Sequence, residues 1–374
     1  MHNQILYSTW AEVDLGAIEA NIRLILKQTS AQVMAIVKAN AYGHGTVPVA
    51  KAALRAGATW CGVGRIEEAF ELRRAGLDCP ILLMGYTPPG RYDEAISSKL
   101  SITIWDYEQL QAAYQAAVRL GENARLHLKV DTGMSRLGVQ PEDAFELARA
   151  ISLTPGILYE GLYTHFACAD ESDNPTTQEQ ENQFIQLLES LETNSLVPGL
   201  VHAANSAASL TRPSAHFNLI RAGISIYGLH PSADCPLPPE FKPALSWKSV
   251  LSQVKVLPPG RGISYGHRYT TRALERIGTV PVGYADGFRR TTDNEVLVGG
   301  RRVHVVGRVC MDQIMIQLDG VPEAETGDEV VLIGTQGDEH ISADEVATRW
   351  GTINYEVACG IGARVPRVYW PQND

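Results

Sequence analysis

The sequence predicts an α/β protein in which an N-terminal (β/α)8, TIM-like barrel is followed by a C-terminal all-β domain. Three observations support this prediction: short apolar runs alternate with amphipathic helical stretches over residues 31–230, a proline-rich stretch follows, and the chain then changes to closely spaced strand-like runs. Parallel strands that are buried on both faces give continuous apolar runs, whereas short runs separated by turn residues are typical of β domains.

Eight apolar runs predict the strands of the barrel. They lie at residues 33–37, 61–63, 81–84, 102–105, 126–130, 158–163, 201–203 and, more weakly, 218–220. Eight such units within about 200–250 residues match the size of a (β/α)8 barrel, whose active site lies at the carboxyl ends of its strands. The residues that end these runs are therefore the first candidates for chemistry.

A proline-rich linker marks the end of the barrel. Residues 230–245 contain five prolines, which are incompatible with a helix interior or a central strand. We therefore divide the chain into residues 1–232 and 233–374, and leave open whether the first residues join the second domain. Strand-like runs separated by turn signals follow at residues 249–256, 277–281, 295–298, 302–309, 314–318 and 329–333.

Composition narrows the class of ligand. The formal net charge is −10 and no long basic block occurs, which argues against nucleic acid or a membrane surface as partner and favours a small molecule. The six cysteines show no C-x-x-C spacing, so neither a metal site nor a disulfide scaffold is indicated. With no export signal at the start of the chain and no apolar run long enough to span a bilayer, we expect a cytoplasmic protein.

Lys38 is the first candidate for covalent chemistry. It ends the apolar run 33–37 and is followed by small residues. A lysine that is partly desolvated has a lowered pKa and can form an imine with a carbonyl compound such as pyridoxal phosphate. A solvated lysine at the end of a strand is the ordinary alternative. The pairs Asn205-Ser206 and Gly223-Ile224 follow the last two barrel runs, where many barrels bind phosphate.

Several motifs strengthen this hypothesis. AIVKANAYGHG around Lys38 resembles the cofactor-lysine motif of the alanine racemases, which are fold-type III pyridoxal-phosphate enzymes, and the resemblance continues through HLKVDTGMSRLG, HAANSAA, RAGISIYG, ISYGHRY, GRVCMDQ and NYEVACGIGARVPRVY. It covers nearly the whole chain. The resemblance implies a barrel, a β domain, a homodimer and the interconversion of L-alanine and D-alanine, with D-alanine supplied to peptidoglycan synthesis.

The resemblance also implies the residues that hold the cofactor. Lys38 would carry pyridoxal 5'-phosphate, and Met84 and His165 would lie beside it. Arg221 would donate to the pyridine nitrogen, which then stays unprotonated because a guanidinium does not give up its proton. The phosphate would be held by Tyr42, Ser206, Gly223, Ile224 and Tyr355.

Racemisation requires one acid–base group on each face of a planar intermediate. By resemblance, Lys38 serves one face, and Tyr265 of the partner subunit serves the other with help from His165. The substrate carboxylate would be bound by Arg136, Met311 and Asp312, while Tyr284 and Tyr355 would line a small side-chain pocket. Lys129 matches a position that many family members carry as a carbamylated lysine, and an unmodified lysine or a bound anion are the alternatives.

Other readings of the sequence remain open. Fold-type III decarboxylases of basic amino acids share the barrel, the β domain and the cofactor lysine, and Cys359 keeps this alternative in view although the decarboxylases lack the SYG segment. A serine or broad-specificity racemase is a second alternative, and a pyridoxal-phosphate carrier is a third. The roughly 130 residues after the linker argue against a carrier, since that class resembles only the barrel.

Overall fold

The computed structural model of the chain describes residues 7–371, so that residues 1–6 and 372–374 lie outside it. Two compact units are present. One is Ala17–Lys242, and the other joins the described residues of Met1–Gly16 to those of Pro243–Asp374. The first described strand, β1 (Thr9–Asp14), thus belongs to the second unit, where it pairs with a strand near the end of the chain.

The first unit is a nearly closed barrel of eight parallel strands, as predicted. In space the order is β8-β7-β6-β5-β4-β3-β2-β9. The barrel nearly closes between the first and last strands of this order, where backbone hydrogen bonds such as that from Arg221 N–H to Ala204 O at 3.0 Å link their ends. The strands are β2 (Gln32–Ile36), β3 (Trp60–Val63), β4 (Ile81–Leu83), β5 (Ser101–Ile104), β6 (Ala124–Lys129), β7 (Ile157–Tyr163), β8 (Leu200–His202) and β9 (Leu219–Ala222). All eight predicted runs form strands.

Helices connect these strands, and local sequence explains several of their starts. Asp106 caps α6 by accepting from the backbone N–H of Gln109 at 2.8 Å, and a proline occupies the first turn of α7. The helices are α1 (Leu15–Leu26), α2 (Lys38–Tyr42), α3 (Thr46–Ala56), α4 (Ile66–Arg74), α5 (Tyr92–Ser97), α6 (Tyr107–Leu120), α7 (Pro141–Leu153), α8 (Thr176–Thr193) and α9 (Ser206–Thr211).

The boundary between the units falls after the proline-rich stretch, at Lys242 and Pro243, and not at residue 232. The reason is packing within the first unit. The backbone of Lys242 donates to and accepts from the side chain of Asn21 at 3.0 and 2.9 Å, and Leu237 and Phe241 are buried. The linker prolines prevent regular structure, but Leu237 and Phe241 beside them still have buried apolar side chains.

The second unit is rich in strands, as predicted. One sheet has the order β16-β15-β18-β10-β1-β20 with β19 added to β18, and β11-β14-β17 and β12-β13 form two smaller sheets. The strands are β10 (Leu245–Val250), β11 (Gln253–Leu257), β12 (Gly262–Ile263), β13 (Tyr269–Thr270), β14 (Glu275–Val280), β15 (Glu295–Val298), β16 (Arg301–His304), β17 (Ile314–Gln317), β18 (Glu329–Gln336), β19 (Glu339–Ile341) and β20 (Arg367–Trp370).

Three details of this unit differ from the prediction. The run 249–256 is broken into β10 and β11, because Leu251 bonds to Asp328 whereas Ser252 bonds to Thr279, so the chain changes sheets there. The run 302–309 stops being a strand after His304. Two short helices, α10 (Ala343–Trp350) and α11 (Asn354–Gly360), add to the strands.

Within residues 7–371 no helix has the length and apolar character needed to cross a bilayer.

Candidate active site

Lys38 is half-buried at the carboxyl end of β2, and the turn that follows it is left-handed. Residues 39–42 all have φ between 51° and 54°, a conformation that costs about 1–2 kcal/mol per non-glycine residue. The carboxylate of Glu68 accepts from the backbone N–H groups of Ala39 at 2.6 Å and Gly64 at 2.8 Å. A neighbouring βα unit therefore fixes the strained turn that positions Lys38.

Hydroxyl and backbone N–H groups meet near the ends of β8 and β9. Ser206 Oγ accepts from the backbone N–H of Gly223 at 2.8 Å and of Ser225 at 3.3 Å. A Cβ atom added at Gly223 would lie only 2.8 Å from the hydroxyl oxygen of Tyr42. Ile224 begins a short 3-10 turn here. The four residues predicted to hold phosphate from the barrel, Tyr42, Ser206, Gly223 and Ile224, are thus brought together.

Arg221 lies on β9 and is only 3% exposed. Its Nη1 donates to His202 Nδ1 at 2.8 Å, while Nη2 donates to the carbonyls of Thr164 at 2.8 Å and Ala203 at 2.7 Å and to His165 Nδ1 at 3.2 Å. Within residues 7–371 no carboxylate forms an ion pair with this guanidinium. Burial lowers the pKa of Arg221 to about 10, which still leaves it charged at neutral pH.

His165 follows β7 and is neutral in this environment. Burial, and then the positive charge of Arg221, hold the pKa of His165 well below its usual range. Because an arginine only donates, His165 Nδ1 must accept, and the ring proton sits on Nε2. Gln180 fixes the backbone around it by donating to His165 O at 3.1 Å and accepting from Ala167 N–H at 2.9 Å.

Lys129 and Arg136 belong to the end of β6 and the loop after it. Lys129 is 4% exposed, and burial together with the charges of Arg136 and Arg221 lowers its pKa to about 8. Asp131 Oδ1 shapes the loop by accepting from the N–H of Ser135 at 2.9 Å. Arg136 is exposed and, in the described part of the chain, makes no hydrogen bond or ion pair.

Met84 is the last of the predicted site residues that lie in the barrel. It follows β4, its N–H donates to Val63 O at 2.9 Å, and its carbonyl accepts from the Tyr163 hydroxyl at 3.5 Å. Because all eight strands are parallel, these side chains share the end of the barrel at which Lys38 lies.

Tyr265 lies in the second unit, on an unusual turn. Ser264, Gly266 and His267 around it have φ of 62°, 70° and 45°, and Ser264 Oγ donates to Arg308 O at 2.6 Å. The Tyr265 side chain is 69% exposed. It lines a cavity of about 810 Å³ together with Met311 and Asp312.

Tyr284 is held next to the same loop. Its N–H donates to Cys310 O at 3.0 Å, and the following N–H, of Ala285, donates to Met311 O at 3.0 Å. Arg364 then joins the two segments, since it donates to Asp286 and to Asp312 at 2.6 Å each. Tyr265, Met311, Asp312 and Tyr284 therefore form one group in the second unit.

Tyr355 lies on a separate element of that unit, helix α11, and is partly exposed. Its predicted contacts with phosphate and with the substrate side chain remain predictions.

Several buried polar residues of the barrel escaped the sequence interpretation. His127 and His202 are fully buried within β6 and β8, and Glu160 lies in β7. The available signal was a polar residue inside an apolar run, as in 126–130, 158–163 and 201–203. Tyr227 was also missed; its ring packs 4.9 Å from that of Tyr42 and its hydroxyl donates to Ile36 O at 2.8 Å.

Comparison with known families agrees with the two-unit architecture. Residues 13–231 match the model of the alanine racemase N-terminal domain, and residues 244–369 match that of the alanine racemase C-terminal domain. The alanine racemase of Symbiobacterium thermophilum is 47% identical over 364 residues, covering 96% of this chain and 97% of its own length. That of Geobacillus kaustophilus is also 47% identical and covers 97% of this chain and 94% of its own.

Solved structures give the same result. The alanine racemase of Streptomyces lavendulae superposes with a TM-score of 0.94 at 39% identity, covering 99% of both chains. The alanine racemase of Bacillus anthracis, solved with bound L-Ala-P, has a TM-score of 0.92 at 41% identity and covers 99% of this chain and 97% of its own.

Proposed function

The chain belongs to the alanine racemase family, and from this premise we propose that it interconverts L-alanine and D-alanine with pyridoxal 5'-phosphate as its cofactor. One observation carries the proposal: the half-buried Lys38 and the buried donor Arg221 lie at the same end of one barrel as the group Tyr42, Ser206, Gly223 and Ile224. An amine, a cation and a set of phosphate donors are the three groups that this cofactor requires.

The barrel residues fit this cofactor chemically. The space beside Gly223 has no room for a Cβ atom next to the Tyr42 hydroxyl, as expected where a backbone must approach a phosphate. Arg221 can only donate, so a ring nitrogen that meets it must accept and stay unprotonated. When bound, pyridoxal phosphate withdraws electrons from an amino acid and thereby acidifies its α-hydrogen.

Two residues of the protein would move the α-proton. The amine of Lys38 would serve one face of the substrate and the phenol of Tyr265 the other. His165 supports this role for Tyr265, because its Nε2 carries a proton and can donate to the phenolic oxygen. Such a hydrogen bond would hold the phenol in position on its face of the substrate.

Arg136 would bind the substrate carboxylate. Its planar guanidinium suits a carboxylate, and no described residue competes for it. Met311 and Asp312 would add to this contact. Lys129, with its pKa of about 8, has a larger neutral fraction near neutral pH than an ordinary lysine and can react with carbon dioxide. We propose the resulting carbamate as the acceptor that orients Arg136. A carbon dioxide adduct on Lys129, detected by carbon-13 NMR in labelled bicarbonate, would support it over an unmodified lysine or a bound anion.

The pocket for the substrate side chain would be small. Tyr284 and Tyr355 supply bulk in the second unit, and a pocket that fits a methyl group rejects larger side chains by overpacking. We therefore propose alanine over serine as the substrate. From the family resemblance we also propose that peptidoglycan synthesis consumes the D-alanine. The cytoplasm is the proposed location, because Cys61, Cys79, Cys168, Cys235 and Cys310 are thiols that form no disulfide.

The homodimer is part of the proposal because Tyr265 would act on the partner's barrel. Tyr265, Met311 and Tyr284 are 69%, 52% and 46% exposed in the single chain. This exposure is expected for side chains that would complete the active site of a second copy of the chain. Mixing inactive Lys38→Ala with inactive Tyr265→Ala protein should restore activity, to about a quarter of that of the native enzyme when subunits exchange freely. No restoration, under conditions in which labelled subunits are seen to exchange, would contradict it.

The direct test of function is incubation of the purified protein with each enantiomer of alanine, with and without added pyridoxal phosphate. Chiral chromatography should show conversion in both directions to a near-equal mixture. Release of carbon dioxide from lysine, ornithine or arginine without racemisation would favour a decarboxylase instead, and faster conversion of serine than of alanine would favour a broad-specificity racemase.

A further inference from the structure

Behind Arg221, three polar side chains form a hydrogen-bonded series through the barrel interior. Arg221 Nη1 lies 2.8 Å from His202 Nδ1, His202 Nε2 lies 3.0 Å from His127 Nδ1, and His127 Nε2 lies 3.2 Å from Glu160 Oε2. Both histidines are 0% exposed. This series runs from the proposed cofactor site to a carboxylate on β7.

Arginine fixes the direction of every bond in this series. Because Arg221 only donates, His202 Nδ1 must accept, and the proton of a neutral His202 sits on Nε2. His202 Nε2 then donates to His127 Nδ1, so the His127 proton also sits on Nε2 and points to the Glu160 carboxylate, which only accepts. Burial and then the charge of Arg221 hold the pKa of His202 well below its usual range, consistent with a neutral ring.

The carboxylate at the end of the series is itself held in place. Glu160 accepts from the Ser101 hydroxyl, and Arg125 Nη1 donates to its other oxygen at 2.9 Å. Burial raises the pKa of Glu160, but the hydrogen bonds from His127, Ser101 and Arg125 outweigh burial and hold the pKa below its usual range. Glu160 is therefore the charged acceptor to which the series leads.

Close packing holds the two rings in this arrangement. The Tyr163 ring stacks on His202 at 4.6 Å with a 7° angle between planes, and a Cβ atom at Gly161 would collide with the His127 ring. The glycine thus makes room for a histidine in the middle of the barrel. A pair of histidines that only filled space would not require a terminal carboxylate.

We infer that His202, His127 and Glu160 are positioning residues that orient Arg221 toward the cofactor ring through one directed series of hydrogen bonds. The inference rests on the proposed function. A carboxylate that paired directly with Arg221 would neutralise the guanidinium beside the cofactor. Placed two imidazoles away, Glu160 instead aligns Arg221 while leaving its charge facing the ring, where an unprotonated nitrogen needs a donor.

The first arm of the test uses the apoprotein and needs no catalysis. With nitrogen-15 histidine, NMR should show His127 and His202 as neutral rings protonated on Nε2 at neutral pH, each assigned by its loss in His127→Gln or His202→Gln protein. An imidazolium or an Nδ1-protonated ring at either position would overturn the inference, whether or not the protein racemises alanine.

The second arm uses the holoenzyme and a matched control. Glu160→Leu removes the terminal acceptor and should lower kcat in both directions about tenfold with little change in KM, and should change the absorption spectrum of the bound cofactor. Ser101→Ala removes a bond to the same carboxylate from outside the series and should change neither. Where Glu160→Leu does not fold, Glu160→Gln, which keeps an acceptor but loses the charge, should shift the spectrum. Native kcat and an unchanged spectrum in the Glu160 variants would overturn the inference.

Discussion

A single added methyl group tests whether Gly223 belongs to the proposed phosphate site, which it would form with Tyr42, Ser206 and Ile224. In Gly223→Ala protein the new Cβ would lie 2.8 Å from the Tyr42 hydroxyl oxygen, closer than such atoms approach in proteins. The φ of Gly223 is −106°, outside the left-handed region, so the steric contact is the effect under test. The Tyr42 ring is buried and packs against Tyr227, which limits how far it can move away.

Overpacking of this kind costs about 1–3 kcal/mol, which corresponds to about a 5- to 150-fold change in an equilibrium constant. We expect the free energy of unfolding of the apoprotein, measured in urea, to fall by about 1–3 kcal/mol, and the affinity for pyridoxal phosphate, measured by titrating the apoprotein, to fall at least about fivefold.

Gly199→Ala is the matched control. It adds the same methyl group before β8, where no atom lies within 4 Å of the new Cβ, and should leave both quantities nearly unchanged. Combining Gly223→Ala with Tyr42→Phe removes the colliding oxygen and leaves the ring carbon at 3.5 Å, an ordinary contact. The double variant should regain apoprotein stability without regaining cofactor affinity. Equal effects of Gly223→Ala and Gly199→Ala would refute the assignment of Gly223 to the phosphate site.

Three further predictions concern activity and pH. Tyr265→Phe should slow α-proton abstraction from L-alanine far more than from D-alanine, measured as exchange in deuterated water, and equal losses for both enantiomers would reject the assignment of Tyr265 to one face. Tyr355→Ala should raise activity on serine relative to alanine because it enlarges the proposed pocket, whereas an unchanged ratio would count against a role in specificity. The pKa of Glu160 is lowered from its usual value of 4.5 in the folded protein, so its contribution to stability is present above about pH 4.5 and is lost as the pH falls below that value. Glu160→Gln should therefore be less stable than the native protein at pH 6, with a difference that shrinks in urea titrations at lower pH; a constant difference would contradict the lowered pKa.

Much of the barrel could be predicted from local sequence, because strands buried on both faces must be apolar throughout. All eight runs became strands, and the ends of the runs correctly located Lys38 and His165 at one end of the barrel. Strand limits in the second unit were harder to predict. The change of hydrogen-bonding partner between Leu251 and Ser252 leaves no mark on the alternation of side chains, so one run became two strands.

The site divides in the same way. Sequence motifs suggested roles for Lys38, Arg221 and Tyr265 through their resemblance to a known family, and these roles remain proposals. The left-handed turn of residues 39–42 was not predictable, since alanine and tyrosine rarely adopt that conformation and one of the groups that stabilise it here is the distant Glu68 carboxylate.

By itself, the sequence determined which segments are buried, that a barrel is followed by a strand-rich unit, and which reactive side chains end the strands. Tertiary structure alone decided which polar residues meet. His127 and His202 are 75 positions apart, and they touch because the strands carrying them both pair with β7, which places Gly161 opposite His127 and so leaves room for its ring. Periodicity is a local property of a chain, whereas hydrogen-bond partners inside a barrel depend on strand register and closure, which only the assembled fold specifies.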